Sequence, residues 1–169
     1  MAEIIPFRGI LYNPIKIDNM ANVVAPPFDI ISEREQLEYH ESHPHNIIRL
    51  TLGKTHEDDT STNNRYTRSA DCFNKWLSEH IMELDKTPAF YLTAMEFPFE
   101  NREVTRYGLI ALVGLEPFKK GVVLPHERTF SNIRSERLEL MKACKANLSA
   151  IFSLYSDNKN QILSTLKDA

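Results

Sequence analysis

The sequence has few of the residues that build the commonest phosphate-binding loops and disulfide-linked proteins. Of its 169 residues, only five are glycine and two are cysteine. Neither Gly-x-x-x-x-Gly-Lys-Ser/Thr nor Gly-x-Gly-x-x-Gly occurs, which excludes the usual nucleotide-binding loops. Cys72 and Cys144 stand far apart within apolar, helix-like segments, where cysteine is usually a small core residue. This usage is typical of reduced thiols in a cytosol.

The chain also lacks long apolar runs and an excess of basic residues. No run approaches the roughly 18–20 apolar residues that a transmembrane helix needs, and the amino-terminal residues do not form a signal pattern. The net charge of −3 argues against a protein that mainly coats nucleic acid, because such binding requires a basic face. We therefore expect a cytoplasmic protein that binds no membrane, and binding to nucleic acid, which a local basic patch would still allow, is the less favoured alternative.

The apolar residues that are present recur in short segments of two kinds, which predicts a mixed α+β fold with a mostly antiparallel sheet. Alternating or continuous apolar segments predict strands at 4–5, 9–12, 23–25, 46–52, 89–97, 104–115, 121–124 and 150–155. The segments 89–97 and 104–115 are predicted to form an antiparallel hairpin with a longish connection over residues 100–103. Helical spacing predicts helices over about 33–40, 63–82, 133–145 and 157–169. Ser32 and Glu35 form a capping-box pattern before the first helix.

The length fits one ordinary domain, which buries roughly 70% of its unfolded surface. We expect a single α+β domain over 1–156 and a short helical tail over 157–169. The stretch 54–62 lies within the domain. It is polar and has no apolar pattern, which predicts a mobile loop.

A cluster of polar side chains follows the predicted strand 121–124. The cluster consists of His126, Glu127, Arg128 and Thr129. A polar turn between a strand and a helix is where phosphate groups tend to be bound. The sequence therefore indicates a candidate anion site, although such a turn is also often only a solvated loop.

Two arginines in the following helix strengthen the anion hypothesis. Arg134 and Arg137 are three residues apart, so they project from one face of the helix. Positive charges near a helix start oppose the macrodipole, which favours acids there, and a bound anion would remove the conflict. Arg128 could also make bidentate contacts to phosphate oxygens.

The side chains at this turn that could catalyse a reaction are the Glu127 carboxylate and the His126 imidazole. Glu127 is the natural general base, and His126 is either a second phosphate donor or a proton carrier. Neighbouring cations would lower the pKa of Glu127, so its catalytic role would depend on positioning.

Residues elsewhere in the sequence form weaker candidates. Arg8, Asp29 and Asn147 are predicted to line a substrate pocket, although the proline-rich segments around the first two also read as simple turns. The run that contains His40, His43 and His45 has no standard zinc-ligand spacing and predicts a surface helix end, with no metal bound.

Five segments in a fixed order resemble an uncharacterised bacterial and archaeal family called domain of unknown function 1015. The segments are 6–9 (PFRG), 24–29 (VAPPFD), 46–50 (NIIRL), 124–129 (LPHERT) and 147–155 (NLSAIFSLY). This family is loosely similar to the superfamily of ParB chromosome-partition proteins, sulfiredoxins and free-serine kinases. The similarity implies a ParB/sulfiredoxin-like fold whose His/Glu/Arg turn grips nucleotide phosphates, with Glu127 as the carboxylate and His126, Arg128 and Arg137 as the clamp.

The chain also departs from that superfamily. No cysteine lies between Cys72 and Cys144, so sulfiredoxin chemistry is not expected. The turn begins with Pro125 and has a single arginine followed by Thr129, whereas ParB turns begin with glycine and carry paired arginines. Members of the family are usually longer, so the chain is expected to be a truncated relative or one domain of a longer protein, with 157–169 beginning a second half.

The resemblance implies a domain that binds a nucleotide or another phosphorylated small molecule. The more specific hypothesis is a kinase that uses ATP or ADP together with Mg²⁺. It would transfer a phosphoryl group to a small hydroxyl substrate such as serine. The alternatives are a non-catalytic ParB-like regulatory or DNA-associated module and a truncated structural domain.

Overall fold

The computed structural model describes residues 2–125 and 131–168, and these form five α-helices and six strands. The helices are α1 (Glu33–Ser42), α2 (Ile48–Thr51), α3 (Arg65–Ser78), α4 (Ser131–Cys144) and α5 (Gln161–Lys167). The strands are β1 (Ile4–Ile5), β2 (Ile10–Tyr12), β3 (Met82–Leu84), β4 (Tyr91–Phe99), β5 (Arg102–Ile110) and β6 (Leu112–Val113). None of these helices is long and apolar enough to cross a membrane.

The strands pair antiparallel in three two-stranded ladders: β1 with β6, β2 with β3, and β4 with β5. The predicted α+β class with antiparallel pairing is therefore confirmed. The chain divides into two compact units. The first unit contains residues 2–9, 85–125 and 150–168, and the second contains residues 10–84 and 131–149. The predicted division into one domain and a tail stays a prediction.

The second unit contains α1 to α4 and the β2–β3 ladder. Its core forms where α3 packs on α4. The buried apolar residues of this core are Ile17, Val23, Leu50, Ala70, Phe73, Trp76, Ile81, Met82, Leu140 and Cys144. Ala70, Phe73 and Trp76 lie three residues apart on one face of α3, as the helical period predicts. The helix is shorter than predicted, because it ends at Ser78 and His80 turns the chain with a φ of 57°.

The predicted strand 46–52 is wrong, and α2 occupies most of it. The Asn46 side chain explains the difference. Its Nδ2 donates to the carbonyls of Asn22 (2.9 Å) and Val24 (3.0 Å), and its Oδ1 accepts from the amide of Ile48 (3.0 Å). These bonds start a helical turn and hold the 23–25 segment as well. That segment therefore runs alongside Asn46 without pairing as the predicted strand.

The first unit contains β1, β4, β5, β6 and α5. The predicted hairpin is confirmed, with β4 and β5 in register from Tyr91 opposite Ile110 to Phe99 opposite Arg102. The connection is tighter than predicted, because only Glu100 and Asn101 lie between the strands and Glu100 adopts a φ of 54°. Two-residue loops of β-hairpins favour a positive φ at their central residues.

Two predicted strands of the first unit are absent from the described residues. At 121–124, Gly121 has a φ of 66° and ends a 3-10 turn over Phe118–Lys120, so the chain bends where a strand was expected. At 150–155 the chain forms no ladder, and its side chains are exposed. The predicted helices 33–40, 133–145 and 157–169 correspond to α1, α4 and α5.

Candidate functional site

The residues predicted to carry chemistry, His126 and Glu127, lie outside the described residues, as do the predicted phosphate ligands Arg128 and Thr129. The described part of the candidate site consists of the helix that follows them, α4, and the elements of the second unit that α4 contacts. Arg134 and Arg137 are the two predicted ligands on this helix.

Arg137 is mostly buried, with 17% of its side chain exposed. Its guanidinium carbon lies 3.6 Å from the centre of the Phe28 ring, a stacked arrangement that suits the planar, weakly hydrated guanidinium. Nη2 donates to the Thr51 carbonyl (2.9 Å) and to Glu136 Oε1 (2.9 Å). Nε and Nη1 are buried and find no acceptor among the described residues.

Arg65, in the first turn of α3, shares the same carboxylate. Its Nη2 lies 3.1 Å from Glu136 Oε1 and donates to the Tyr66 hydroxyl (2.9 Å). Both side chains are partly buried, with 27% of Arg65 and 22% of Glu136 exposed. One carboxylate oxygen thus lies between two guanidiniums.

These side chains line a small cleft between α2, α3 and α4. The lining residues are Leu50, Thr51, Leu52, Gly53, Arg65, Tyr66, Ser69, Glu136, Arg137 and Leu140. The charged groups of the lining are two guanidiniums and one carboxylate, which leaves one net positive charge. The cleft has room for about one water molecule, so it fits a single oxygen-bearing group and not a whole nucleotide.

Arg134 behaves differently from Arg137. Its side chain is exposed, and it does not line the cleft. Both arginines lie on α4, and the contacts among the described residues hold Arg137 against Phe28 and Thr51. The sequence spacing could not distinguish them, because the difference comes from Phe28 and Thr51, which lie more than 80 residues earlier.

The predicted substrate-pocket residues have local contacts within their own units. Arg8, in the first unit, donates from Nε to the Asp85 carbonyl. Asp29 is exposed in a 3-10 turn of the second unit. Asn147 Oδ1 accepts from the amide of Ser149 (3.2 Å) and so stabilises a local turn after α4. None of the three lines the cleft, and the substrate pocket stays a prediction.

Apart from Arg137, none of the residues that line the cleft was identified from the sequence as a site residue, and neither was Phe28, on which Arg137 stacks. A signal existed for one of them. Arg65 is a positive charge at the start of a helix, the same conflict with the macrodipole that drew attention to Arg134 and Arg137. Phe28 lies within the proline-rich segment 24–29, whose composition predicts a simple turn.

His40, His45, Cys72 and Cys144 of the second unit are at least partly buried and pack against other residues of that unit. His40 is buried, with Nε2 3.3 Å from the Leu52 carbonyl. His45 packs its ring edge on Trp76, with 5.6 Å between ring centres. Across the described ranges no three His, Cys, Asp or Glu residues are placed to hold a metal ion.

Neither cysteine has the surroundings of a reactive thiol. Burial raises the pKa of the Cys144 thiol to about 11, and burial also raises the pKa of Cys72. Both thiols therefore stay protonated near neutral pH, and a protonated thiol is a poor nucleophile.

The comparisons with known proteins give one match. A family model described as "Protein of unknown function (DUF1015)" matches residues 4–169. No curated protein and no solved structure matches the chain.

Proposed function

We propose, for a chain that belongs to the DUF1015 family of proteins of unknown function, that the cleft at Arg137 binds the phosphate group of a phosphorylated small molecule. One observation carries the proposal. Arg137 is largely buried, yet two of its three guanidinium nitrogens have no acceptor among the described residues.

The charge around the cleft supports an anionic ligand. A buried cation is stable only when it is paired, and leaving one unpaired costs several kcal/mol. Glu136 supplies one negative charge, which it shares with Arg65 and Arg137. An oxyanion would supply the missing charge and accept the remaining N–H groups, and Arg suits phosphate because its planar fork matches two oxygens.

The contacts of Arg137 also fix the orientation in which its guanidinium would meet a ligand. Stacking on Phe28 and the bond to the Thr51 carbonyl hold the guanidinium in one orientation before any ligand arrives. A donor that is already fixed loses little conformational entropy when it binds, so more of the interaction energy contributes to affinity.

The size of the cleft limits what can enter it. With room for about one water molecule, the described residues fit a phosphate oxygen but do not form a site for a whole nucleotide with Mg²⁺. ATP or ADP would therefore place only a terminal phosphate at Arg137, and the rest of the molecule would lie elsewhere.

Phosphoryl transfer to a hydroxyl substrate such as serine is the bolder form of the proposal. It rests on the sequence alone, because its catalytic residues, Glu127 and His126, lie outside the described residues. Glu127→Gln tests it directly. If Glu127 acts as a base, the substitution abolishes turnover and leaves phosphate affinity unchanged, whereas equal loss of both would assign Glu127 a structural role.

The binding proposal is tested by calorimetry and thermal shift with phosphate, pyrophosphate, ADP and ATP, each with and without Mg²⁺. A ligand at 100 times its dissociation constant stabilises the folded protein by about 2.7 kcal/mol, which is easily measured. Arg137→Ala should weaken binding at least about tenfold, since a charged hydrogen bond contributes about 1.5–3 kcal/mol.

Because Arg137 also packs against Phe28, its loss will lower the stability of the unliganded protein. Arg65→Gln is therefore the second variant, since it removes one cleft charge and leaves the contacts of Arg137 in place. Arg34→Ala is the control, because Arg34 is exposed on α1 and pairs there with Glu38, away from the cleft. The proposal fails if no ligand binds, or if both cleft variants bind as well as the Arg34 control.

A further inference from the structure

The Glu136 carboxylate supplies the one negative charge among the described residues that line the Arg137 cleft. Its two oxygens have different surroundings. Oε1 lies 3.1 Å from Arg65 Nη2 and 2.9 Å from Arg137 Nη2. Within the described part of the chain, no hydrogen bond is made to Oε2. The carboxylate therefore keeps one oxygen free to accept a hydrogen bond from a ligand.

The small size of the cleft brings this acceptor and the free donors of Arg137 to the same ligand atom. The cleft has room for about one water molecule and is lined by both residues. Arg137 Nε and Nη1 are buried and have no acceptor among the described residues. A single ligand oxygen in the cleft would thus meet N–H donors and, beside them, a carboxylate.

This combination distinguishes a protonated ligand oxygen from a deprotonated one. A deprotonated oxygen accepts from Arg137 but lies against the like charge of Glu136, and like charges repel most strongly where water is excluded. A hydroxyl oxygen accepts from the guanidinium and donates its proton to the carboxylate, so that both protein groups gain a partner.

We propose that the cleft selects phosphate groups that carry a proton, namely hydrogenphosphate or the monoanion of a phosphate monoester. Sulfate and phosphate diesters have no proton to donate near neutral pH, so Glu136 would disfavour both. The inference rests on the phosphate site proposed above and names the class of ligand that this site takes.

The other groups of the lining do not make this distinction. The titratable and charged side chains that face Glu136 are Arg65 and Tyr66 on α3 and Arg137 on α4, whereas the segment 50–53 contributes no ionisable side chain. The two arginines attract every anion, whether or not it carries a proton. Selection by protonation therefore depends on Glu136.

The test is calorimetry on the full 169-residue chain with the sodium salts of inorganic phosphate and of sulfate, at pH 7.5 and equal ionic strength. Phosphate should bind at least about tenfold more tightly than sulfate, because a site that hydrogen-bonds a ligand hydroxyl rejects an analogue without one.

Glu136→Gln should lower this ratio of affinities at least about tenfold. Both anions gain affinity when the negative charge is removed, and sulfate gains more, because the glutamine amide can donate to it. Glu139→Gln is the matched control and should keep the ratio, since Glu139 is half-exposed on the same helix and pairs with Lys142.

Methyl phosphate provides a second measurement on the unmodified chain, which keeps the inference testable if the Glu136 variant does not fold. The second pKa of a phosphate monoester is about 6, so the fraction that carries a proton rises as the pH falls from about 7.5 to about 6. The affinity for methyl phosphate should therefore rise about tenfold over this range. Sulfate is the control, because it has no proton in this range and senses any change in the charge of the protein.

The outcomes separate this inference from the proposed site. Equal binding of phosphate and sulfate, an unchanged ratio in folded Glu136→Gln, or an equal gain for sulfate and methyl phosphate at lower pH would overturn the inference and leave the phosphate site intact. Binding of neither phosphate nor methyl phosphate would overturn the proposed site and this inference with it.

Discussion

At the scale of single residues, Arg137 combines three kinds of contact: stacking on Phe28, a bond to a main-chain carbonyl, and a shared carboxylate. Each contact uses a different property of the guanidinium, namely its flat face, its N–H donors and its charge. A lysine could supply only the charge and a donor. Arg137→Lys should therefore be a poor replacement even though it keeps the positive charge.

Glu136 is the residue whose charge opposes an anion in the cleft. Replacing it by glutamine keeps an oxygen near Arg65 and Arg137 but removes the negative charge. If the anion proposal is right, Glu136→Gln should tighten phosphate binding about tenfold, because a unit charge at contact distance contributes about 1 kcal/mol or more. Calorimetry measures the change, with Glu139→Gln on the same helix as the control. Weaker binding in Glu136→Gln would mean that this carboxylate orients the arginines for the ligand.

His40 predicts how stability depends on pH. Burial lowers its pKa below the ordinary value of 6.5, Arg49 and Lys54 lower it further, and the contact with the Leu52 carbonyl partly offsets this. As the pH falls below about 6.5, the unfolded chain takes up a proton that the folded chain resists. The free energy of unfolding should therefore decrease between that pH and the lower folded pKa, by at most about 1.4 kcal/mol per pH unit.

Urea unfolding between about pH 7.5 and 5.5 measures this slope, which His45 increases in the same direction because burial lowers its pKa too. His40→Gln keeps a donor for the Leu52 carbonyl and should flatten the slope. His56→Gln, in the exposed loop, should not. A slope that is the same in both variants would show that His40 does not contribute to it.

At the scale of elements, α1 and α3 of the second unit begin at side chains that satisfy free amides of the first helical turn. Ser32 and Glu35 form the predicted capping box of α1, with Ser32 accepting from the Glu35 amide and Glu35 accepting from the Ser32 amide. Asn64 caps α3 in the same way, and the reciprocal partner is Thr67. Such caps fix the residue at which a helix starts.

Removing the Asn64 cap should destabilise α3 and the core that it carries. Asn64 Oδ1 accepts from the amides of Tyr66 (3.0 Å) and Thr67 (3.2 Å), and alanine leaves both without this partner. Asn64→Ala should therefore cost about 1–2 kcal/mol of unfolding free energy. Asn74→Ala, an exposed position within the same helix, should be neutral or slightly stabilising. Chemical denaturation that finds equal effects at both positions would contradict the capping role.

Short apolar segments are where local pattern and tertiary structure disagree. The segment 46–52 alternates like a strand, yet most of it forms α2 because Asn46 bonds to the carbonyls of Asn22 and Val24. The segment 150–155 is apolar except at Ser153 but forms no ladder in the described structure. Over four to seven residues, apolar spacing does not separate a strand from a buried turn of helix.

At the scale of the whole molecule, apolar burial is uneven between the two units. Leu50 is fully buried in the second unit, whereas Leu115 in the first is fully exposed. Leu50→Ala should cost about 2–5 kcal/mol, because it removes buried apolar surface and leaves a cavity. Leu115→Ala should change the stability by less than about 0.5 kcal/mol. Thermal unfolding in dilute solution compares the two, and similar losses would mean that Leu115 is covered in solution.

The family was identified from five ordered segments, and the family model over residues 4–169 confirms that resemblance. The ParB-like similarity stays a prediction, as do the nucleotide, the kinase activity and the cytoplasmic location. Their predicted catalytic residues, His126 and Glu127, lie outside the described residues.

The sequence by itself determined the α+β class, the helical face of Ala70, Phe73 and Trp76, the capping box at Ser32 and the β4–β5 hairpin. Each depends on residues close together in the chain, so local periodicity and capping chemistry are sufficient. Tertiary structure alone decided that Arg137 meets Phe28 and Thr51, that Glu136 lies between two arginines, and that Leu166 is the single buried apolar residue among the described residues of the first unit. Those outcomes depend on residues far apart in sequence, and the spacing along a single chain does not record which of them meet when α3 and α4 pack.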